Sequence, residues 1–142
     1  PEVIDSLGLA GAIADFIETD RSLYPGCTFR LFMDKEFSGT SDEVTIGLFR
    51  VVQESVTNSI KHANATQITV SLKKVYQHDD VFFDLQIDDN GSGFDIDALK
   101  EDQHLGLSGM QERIFAMNSD LKIESRLGQG THLSAKIPLV EG

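Results

Sequence analysis

The sequence predicts an α+β domain: a two-layer α/β sandwich in which a mixed, mainly antiparallel sheet is covered on one face by about three helices. Two observations carry that expectation. Segments of helical period and segments of strand period are interleaved along the chain, so both element types share one core. Several strands are separated by turns of a few residues. Strands joined that way run antiparallel, because a parallel connection needs a much longer crossover.

The elements follow in order. Leu7 to about Ser22 is helix-like, with Leu9, Ile13, Phe16 and Ile17 spaced for one face, and Pro25-Gly26 ends it. Thr28 to Met33 alternates as a strand, Phe29, Leu31 and Met33 against Thr28, Arg30 and Phe32. Thr40-Ser41-Asp42-Glu43 reads as a capping box, with a hydroxyl at the N-cap and Glu at N3, and opens the strongest helix of the chain, to about Ala63. Gln67 to Tyr76 and Val81 to Asp88 are alternating strands joined by the polar turn Gln77-His78-Asp79-Asp80. Asp89-Asn90-Gly91-Ser92-Gly93 stops the second of them, and an acidic, loosely patterned stretch runs on to His104. Leu107 to Met117 reads as a further helix. The end is a hairpin: Leu121 to Arg126, the Gly128-Gln129-Gly130 turn, then Thr131 to Ile137.

Composition narrows the function. The 142 residues suit one domain, and with 40% hydrophobic residues they can bury a core without metal or disulfide staples. The formal charge of −11 argues against nucleic acid or an anionic membrane as partner, since both need basic surface. A polyanion could bind only at a small local site, where backbone N–H groups, a helix N-terminus or a metal ion offset the global charge. Cys27 is the one cysteine, which excludes an intramolecular disulfide and Cys-rich zinc sites and fits a reducing compartment. No apolar run approaches the ~20 residues of a membrane-spanning helix. The first residues lack the basic and apolar blocks of a signal peptide. A chain opening on Pro1 rather than Met is expected to be part of something longer.

The long helix carries Leu48, Val52, Ser55, Val56, Ser59 and Ala63 on one arc, flanked by Phe49 and Ile60, which is expected to pack on the sheet. Arg50, Glu54, Asn58 and Lys61 form the opposite stripe, with His62 at its edge. That stripe is either a solvated face with helpful i,i+4 spacing or one wall of a site. As a site it would offer an amide oxygen for a metal, a carboxylate able to polarise water, and two donors for phosphate. The helix alone leaves both open.

Three glycine clusters weigh on the choice. Asp89-Asn90-Gly91-Ser92-Gly93 follows a strand, where glycine admits close backbone approach and the carboxylate can accept from an amine. Gly106-Leu107-Ser108-Gly109-Met110 is read as opening a helix, whose free N–H groups would seat phosphate. Gly128-Gln129-Gly130-Thr131 is most simply a hairpin turn. Each is weak alone; their order along the chain, after an Asn-bearing amphipathic helix, is specific.

At these residues the chain resembles the ATP-binding catalytic domain of sensor histidine kinases, in the gyrase, heat-shock chaperone, histidine kinase and mismatch-repair ATPase superfamily. The run from Gln53 to Ala63 is similar to the N box, Asp89 to Phe94 to the first glycine box, His104 to Ile114 to the second, and Gly128 to Thr131 to the last. Residues 1–9, Pro1 to Leu9, are similar to the segment that follows the dimerisation helices in kinases of the nitrate/nitrite-sensor type. The motifs reach from residue 1 to 131, so the resemblance takes in 1–142 as one catalytic domain with a Bergerat-type fold.

The resemblance implies roles. Asn58 would coordinate Mg²⁺; Glu54 would act through a metal-bound water or help activate the acceptor imidazole. Lys61 and His62 would contact phosphate or ribose. Asp89 would accept from the adenine amine, with Thr131 nearby through water. Gly91 and Gly93 would let their loop close on ATP. Gly106, Leu107, Gly109 and Met110 would supply phosphate contacts and the base of a mobile lid over about 94–106, with Gly130 in the last box. The activity implied is transfer of the ATP γ-phosphoryl to a histidine on a dimerisation domain, for relay to an aspartate of a response regulator. Such a parent would be a homodimer and the isolated domain a monomer with no nucleic-acid partner, cytoplasmic, whether or not the parent is anchored in a bacterial inner membrane. A stand-alone ATPase or anti-sigma-factor-type serine kinase is the alternative, against which stand the opening segment and the Q-E-x-x-x-N-x-x-K-H run.

Two departures stand out. No phenylalanine box separates the glycine boxes, and the lid is short. The acceptor is absent as well: His78-Asp79 falls in a turn, and His78, His104 and His132 read as surface or loop histidines. The fragment alone is therefore not expected to phosphorylate itself.

Overall fold

The computed structural model describes residues 2–34 and 40–139, with side chains from residue 8 onward. Three helices and five strands follow one another as α1 (Glu2–Leu23), β1 (Thr28–Met33), α2 (Asp42–Lys61), β2 (Gln67–Gln77), β3 (Asp80–Asp89), α3 (Glu101–Phe115), β4 (Lys122–Ser125) and β5 (Thr131–Pro138), with a short 3-10 turn at Ile96–Ala98 before α3. The sheet order is β1-β2-β3-β5-β4. Among the described residues only β1 and β2 pair in parallel, and α2 is the crossover between them; the other three pairings are antiparallel. This is the expected two-layer sandwich.

Strand alternation decides which face is covered. Ile68, Val70 and Leu72 of β2, Phe83, Leu85 and Ile87 of β3, and Leu133, Ala135 and Ile137 of β5 are buried. They meet Ala12, Ile13 and Ile17 of α1, Leu48, Val52 and Val56 of α2, and Met110 and Ile114 of α3. The other residues of the strands point to the opposite face, where Asp88 of β3 pairs with His132 of β5.

Local signals explain most boundaries. The β2–β3 hairpin turns at His78-Asp79, with His78 left-handed at φ 56°. Gly8, at φ 71° and ψ 178°, interrupts α1, so its packed part begins at Leu9. The cap of α2 differs from the expected box by one residue. Ser41, not Thr40, is the N-cap, extended at φ −63° and ψ 153°, and its hydroxyl accepts from the Val44 N–H at 3.3 Å.

A larger difference lies at α3, which starts at Glu101 rather than Leu107. Glu101 and Asp102 complement the positive end of the helix dipole, and Gln103 Oε1 accepts the Lys100 N–H at 3.3 Å. The stretch looked like loop because this first turn is solvent-facing on most sides and so lacks apolar periodicity.

Candidate nucleotide-binding site

The C-terminal half of α2 lies across the end of β3, and α3 closes the third side of the space between them. A cavity of about 180 Å³ results, with Glu54, Asn58, Ser59 and His62 from α2, Asp89 at the end of β3, Gly106, Leu107 and Met110 from α3, and Thr131 at the start of β5. Ile87, Phe94, Leu99 and Leu133 give it apolar surface. A cavity that is mostly apolar with a few convergent polar groups suits a planar heterocycle carrying polar edges.

Asp89 is the best-anchored polar group there. Its Oδ2 accepts from the Ser59 hydroxyl at 2.6 Å and its Oδ1 from the Gly91 N–H at 2.9 Å. The Ser59 hydroxyl also lies 3.1 Å from the Ser55 carbonyl. It has one proton, and the shorter, charge-assisted bond to Asp89 is the stronger. Each carboxylate oxygen keeps a free lone pair, so Asp89 is oriented and still able to accept from a ligand.

The loop after Asp89 is fixed from three directions. Asn90 Oδ1 accepts the N–H groups of Thr66 and Gln67 at 2.9 and 2.8 Å, and its amide donates to Thr66 Oγ1 at 2.9 Å. Ser92 N–H donates to the Ala63 carbonyl at 2.8 Å, just past the end of α2. Gly128 N–H donates to the Ser92 carbonyl at 2.6 Å, and Phe94 N–H to Ser125 Oγ at 2.9 Å, which join the loop to the terminal hairpin. Gly93 and Gly130 are both left-handed, at φ 63° and 75°, and a Cβ on either would run into backbone carbonyls: Arg126 for Gly93, Asp89 for Gly130. Two glycine turns are thus interlocked beneath Asp89.

Several sequence expectations need correction. Gly91 does not line the cavity. It abuts the end of α2, where a Cβ would come within 2.6 Å of the Ala63 carbonyl oxygen, so its smallness serves loop–helix contact. Gly130 likewise sits under Asp89 rather than in the cavity. Gly106 and Gly109 do not open a helix. They lie in its second and third turns, where N–H groups are engaged by carbonyls four residues back, so they are no helix-terminal phosphate seat. Gly109 faces a neighbouring groove. Lys61, exposed on the last turn of α2, is not part of the cavity wall.

Other contributors escaped the sequence reading. Ser55 and Ser59 belong to the arc expected to pack on the sheet; they are buried, yet both border the cavity. Two hydroxyls among core positions were the available signal, because a buried hydroxyl needs a partner. Phe94, Leu99, Asp102 and Gln103 lay in the stretch read as loop.

The charge balance is unusual for a polyanion site. Glu54, Asp89 and Asp102 border the cavity, and no Lys or Arg does among the described residues. No cluster of three His, Cys, Asp or Glu able to hold a metal is present among the described residues. Asn58 and Glu54, one turn apart on α2 and both facing the cavity, do offer oxygen atoms to a hard cation, with the remaining ligands left to the bound anion.

Comparison with known proteins defines the class. The family described as "Histidine kinase-, DNA gyrase B-, and HSP90-like ATPase" matches residues 43–141. The chain belongs to this ATPase family. Among curated relatives, the signal transduction histidine-protein kinase/phosphatase DegS of Bacillus subtilis (strain 168) is 33% identical over 144 residues, covering 98% of this chain and 36% of that protein. The sensor protein VraS of Staphylococcus aureus (strain COL) is 39% identical over 92 residues, 65% of this chain and 25% of that protein. The chain thus spans about a third or less of the length of these relatives. The histidine kinase domain of the blue-light activated histidine kinase from Erythrobacter litoralis EL346 shares the fold, with a TM-score of 0.74 at 17% identity over 97% of this chain and 69% of that one. No helix among the described residues is long and apolar enough to cross a membrane.

Proposed function

We propose that this chain, residues 1–142, is the ATP-binding catalytic domain of a sensor histidine kinase, and that the longer protein phosphorylates a histidine on a dimerisation domain for relay to a response regulator. The observation that carries the reading is the convergence of Glu54, Asn58, Asp89 and Thr131, from three elements far apart in sequence, on one cavity in an ATPase-family fold.

Asp89 accepts the exocyclic amine of adenine, and Ser59 and Gly91 hold it for that purpose. Thr131, 2.8 Å from Ser125 Oγ, completes the base end. The phosphates run toward Asn58 and Glu54. Mg²⁺ would be held there by Asn58 Oδ1, directly or with Glu54 through water, and would supply the positive charge that the cavity wall lacks. In the transfer itself an imidazole nitrogen of the acceptor forms the P–N bond as the bond from the γ-phosphorus to the β,γ-bridging oxygen breaks. ADP leaves with that electron pair, and the other ring N–H gives its proton to a base, the role proposed for Glu54.

Calorimetry with a non-hydrolysable ATP analogue and Mg²⁺ tests the reading, and one site is expected. A folded sample giving no heat at millimolar ligand would end it. Asp89→Ala should lose a charged hydrogen bond of roughly 1.5–3 kcal/mol, about ten- to over a hundredfold in affinity. Asn58→Ala should weaken binding of Mg-ATP more than of metal-free ATP; equal losses would assign Asn58 to the nucleotide itself.

A further inference from the structure

The covered face of the sheet ends in a polar row. Ile123, Leu133 and Ile87 stand side by side on β4, β5 and β3, and the next row on that face is Ser125, Thr131 and Asp89. Thr131 and Asp89 border the nucleotide cavity; Ser125 is not part of its wall. A hydroxyl where the pattern of the face calls for an apolar side chain needs partners.

Ser125 has three. Its Oγ lies 2.9 Å from the Phe94 N–H, 3.0 Å from the Gly130 carbonyl and 2.8 Å from Thr131 Oγ1. Chemistry fixes two of the roles. An amide N–H only donates and a carbonyl only accepts, so Ser125 accepts from Phe94 and gives its one proton to Gly130. The contact with Thr131 then uses a lone pair of Ser125, and the proton in it is Thr131's. All three bonds form together only in this arrangement. Turning the Ser125 proton to Thr131 instead would leave the carbonyl of buried Gly130 without this donor, at a desolvation cost.

The consequence reaches the cavity. With its proton held by Ser125, Thr131 offers a ligand lone pairs alone. Ser59 gives its proton to Asp89, and a carboxylate only accepts. This end of the cavity is therefore lined by acceptors. It suits a base edge that brings N–H groups, and it sets lone pair against lone pair where the base carries an oxo group.

We propose that Ser125 is a positioning residue that sets base selectivity through Thr131. By holding the Thr131 hydroxyl in its accepting orientation, it favours a purine with an amine at position 6 over one with an oxo group there. The inference rests on the nucleotide reading above and deepens it: discrimination belongs to Asp89 together with a residue that never touches the base.

The test measures binding of ATP, inosine triphosphate and purine riboside triphosphate to the full-length protein with Mg²⁺, by displacement of a fluorescent ATP analogue. The three carry an amine, an oxo group and a hydrogen at position 6. Ser125→Ala frees the Thr131 hydroxyl to turn and donate to an oxo group. The preference for ATP over inosine triphosphate should narrow by roughly fivefold or more, while affinity for the purine riboside nucleotide stays within about twofold. Ser125→Thr keeps the hydroxyl and should keep the wild-type preference. In a Thr131→Val background no hydroxyl is left to orient, so adding Ser125→Ala should move the preference by less than about twofold. Equal losses for all three nucleotides in Ser125→Ala would overturn the assignment and make Ser125 a structural tie to Phe94. An unchanged preference, or a narrowing that persists in full on Thr131→Val, would overturn it too. If Ser125→Ala does not fold, Thr131→Val by itself decides, and a wild-type preference there would overturn the assignment. Wild-type protein that binds none of the three would instead defeat the nucleotide reading on which the assignment depends.

Discussion

Along one wall of the cavity, Asp89 is held by Ser59 and Gly91, Asn90 is tied to Thr66 and Gln67, and the turns at Gly93 and Gly130 press on neighbouring carbonyls. Across from it, residues 100–107 are mostly exposed, beginning with a helix start whose polar contacts are all local, between Lys100, Asp102 and Gln103. The first wall is stapled by bonds between residues distant in sequence, the second only by its own helix. A base-recognising wall must be pre-formed to discriminate, because every group ordered on binding subtracts from affinity. A wall that admits and releases nucleotide is drawn from the less stable part of a fold. The two kinds of wall therefore match the two tasks of the proposed site.

Substitutions can break or sharpen this contrast. The largest effect is expected at the stapled wall. Gly130→Ala forces a Cβ toward the Asp89 carbonyl and places a non-glycine residue at φ 75°. Backbone strain of about 1–2 kcal/mol and overpacking of about 1–3 kcal/mol together give roughly 3 kcal/mol of destabilisation. For a domain of this size that is a fall of roughly 10 °C in melting temperature. Thermal melting checks it, and a variant melting with the wild type would show that the glycine turns are not interlocked.

The opposite sign is expected in α3, on its side away from the cavity. A Cβ at Gly109 meets nothing within 4 Å, and the residue sits inside α3. Gly109→Ala should stabilise by roughly 0.5–1 kcal/mol through helix propensity, read as a higher denaturation midpoint in urea. A loss of stability would mean that α3 at Gly109 is packed as closely as the glycine turns beneath Asp89.

The smallest effect belongs to α1, away from both walls. Asp20 is 8% exposed with no hydrogen bond to its carboxylate among the described residues, and burial raises its pKa from the ordinary aspartate value. The folded state then holds a proton that the unfolded chain has released. Stability from this group is full below the ordinary aspartate range and is lost as pH rises toward the raised value. Asp20→Asn lacks that loss, so its melting temperature relative to wild type should climb as pH rises above the ordinary aspartate range. A difference that stays flat with pH would place Asp20 in contact with water.

Much of the molecule is written in local pattern. The alternation in 28–33 and 67–76, the stripe of α2 and the turn over Gln77-His78-Asp79-Asp80 are all legible from residues adjacent or one turn apart, and the structure agrees with them. Residue types and order also nominate Asn58, Glu54 and Asp89, and all three border one cavity. Periodicity places the start of α3 too late because it measures the burial of a face, and a helix whose first turn is solvent-facing shows none.

What the sequence by itself determined, then, is which segments become helix or strand, that one face of each is apolar, and which short motifs could hold a nucleotide. These depend on contacts within a turn or two. Tertiary structure alone decided that Ser59 serves Asp89, 30 residues away, that Gly91 and Gly130 fit closely against other backbone, and that Arg50 and Arg113 share one groove. Those relations depend on how whole elements cross, and side-chain period carries no information about the distance between two elements once both have found the core.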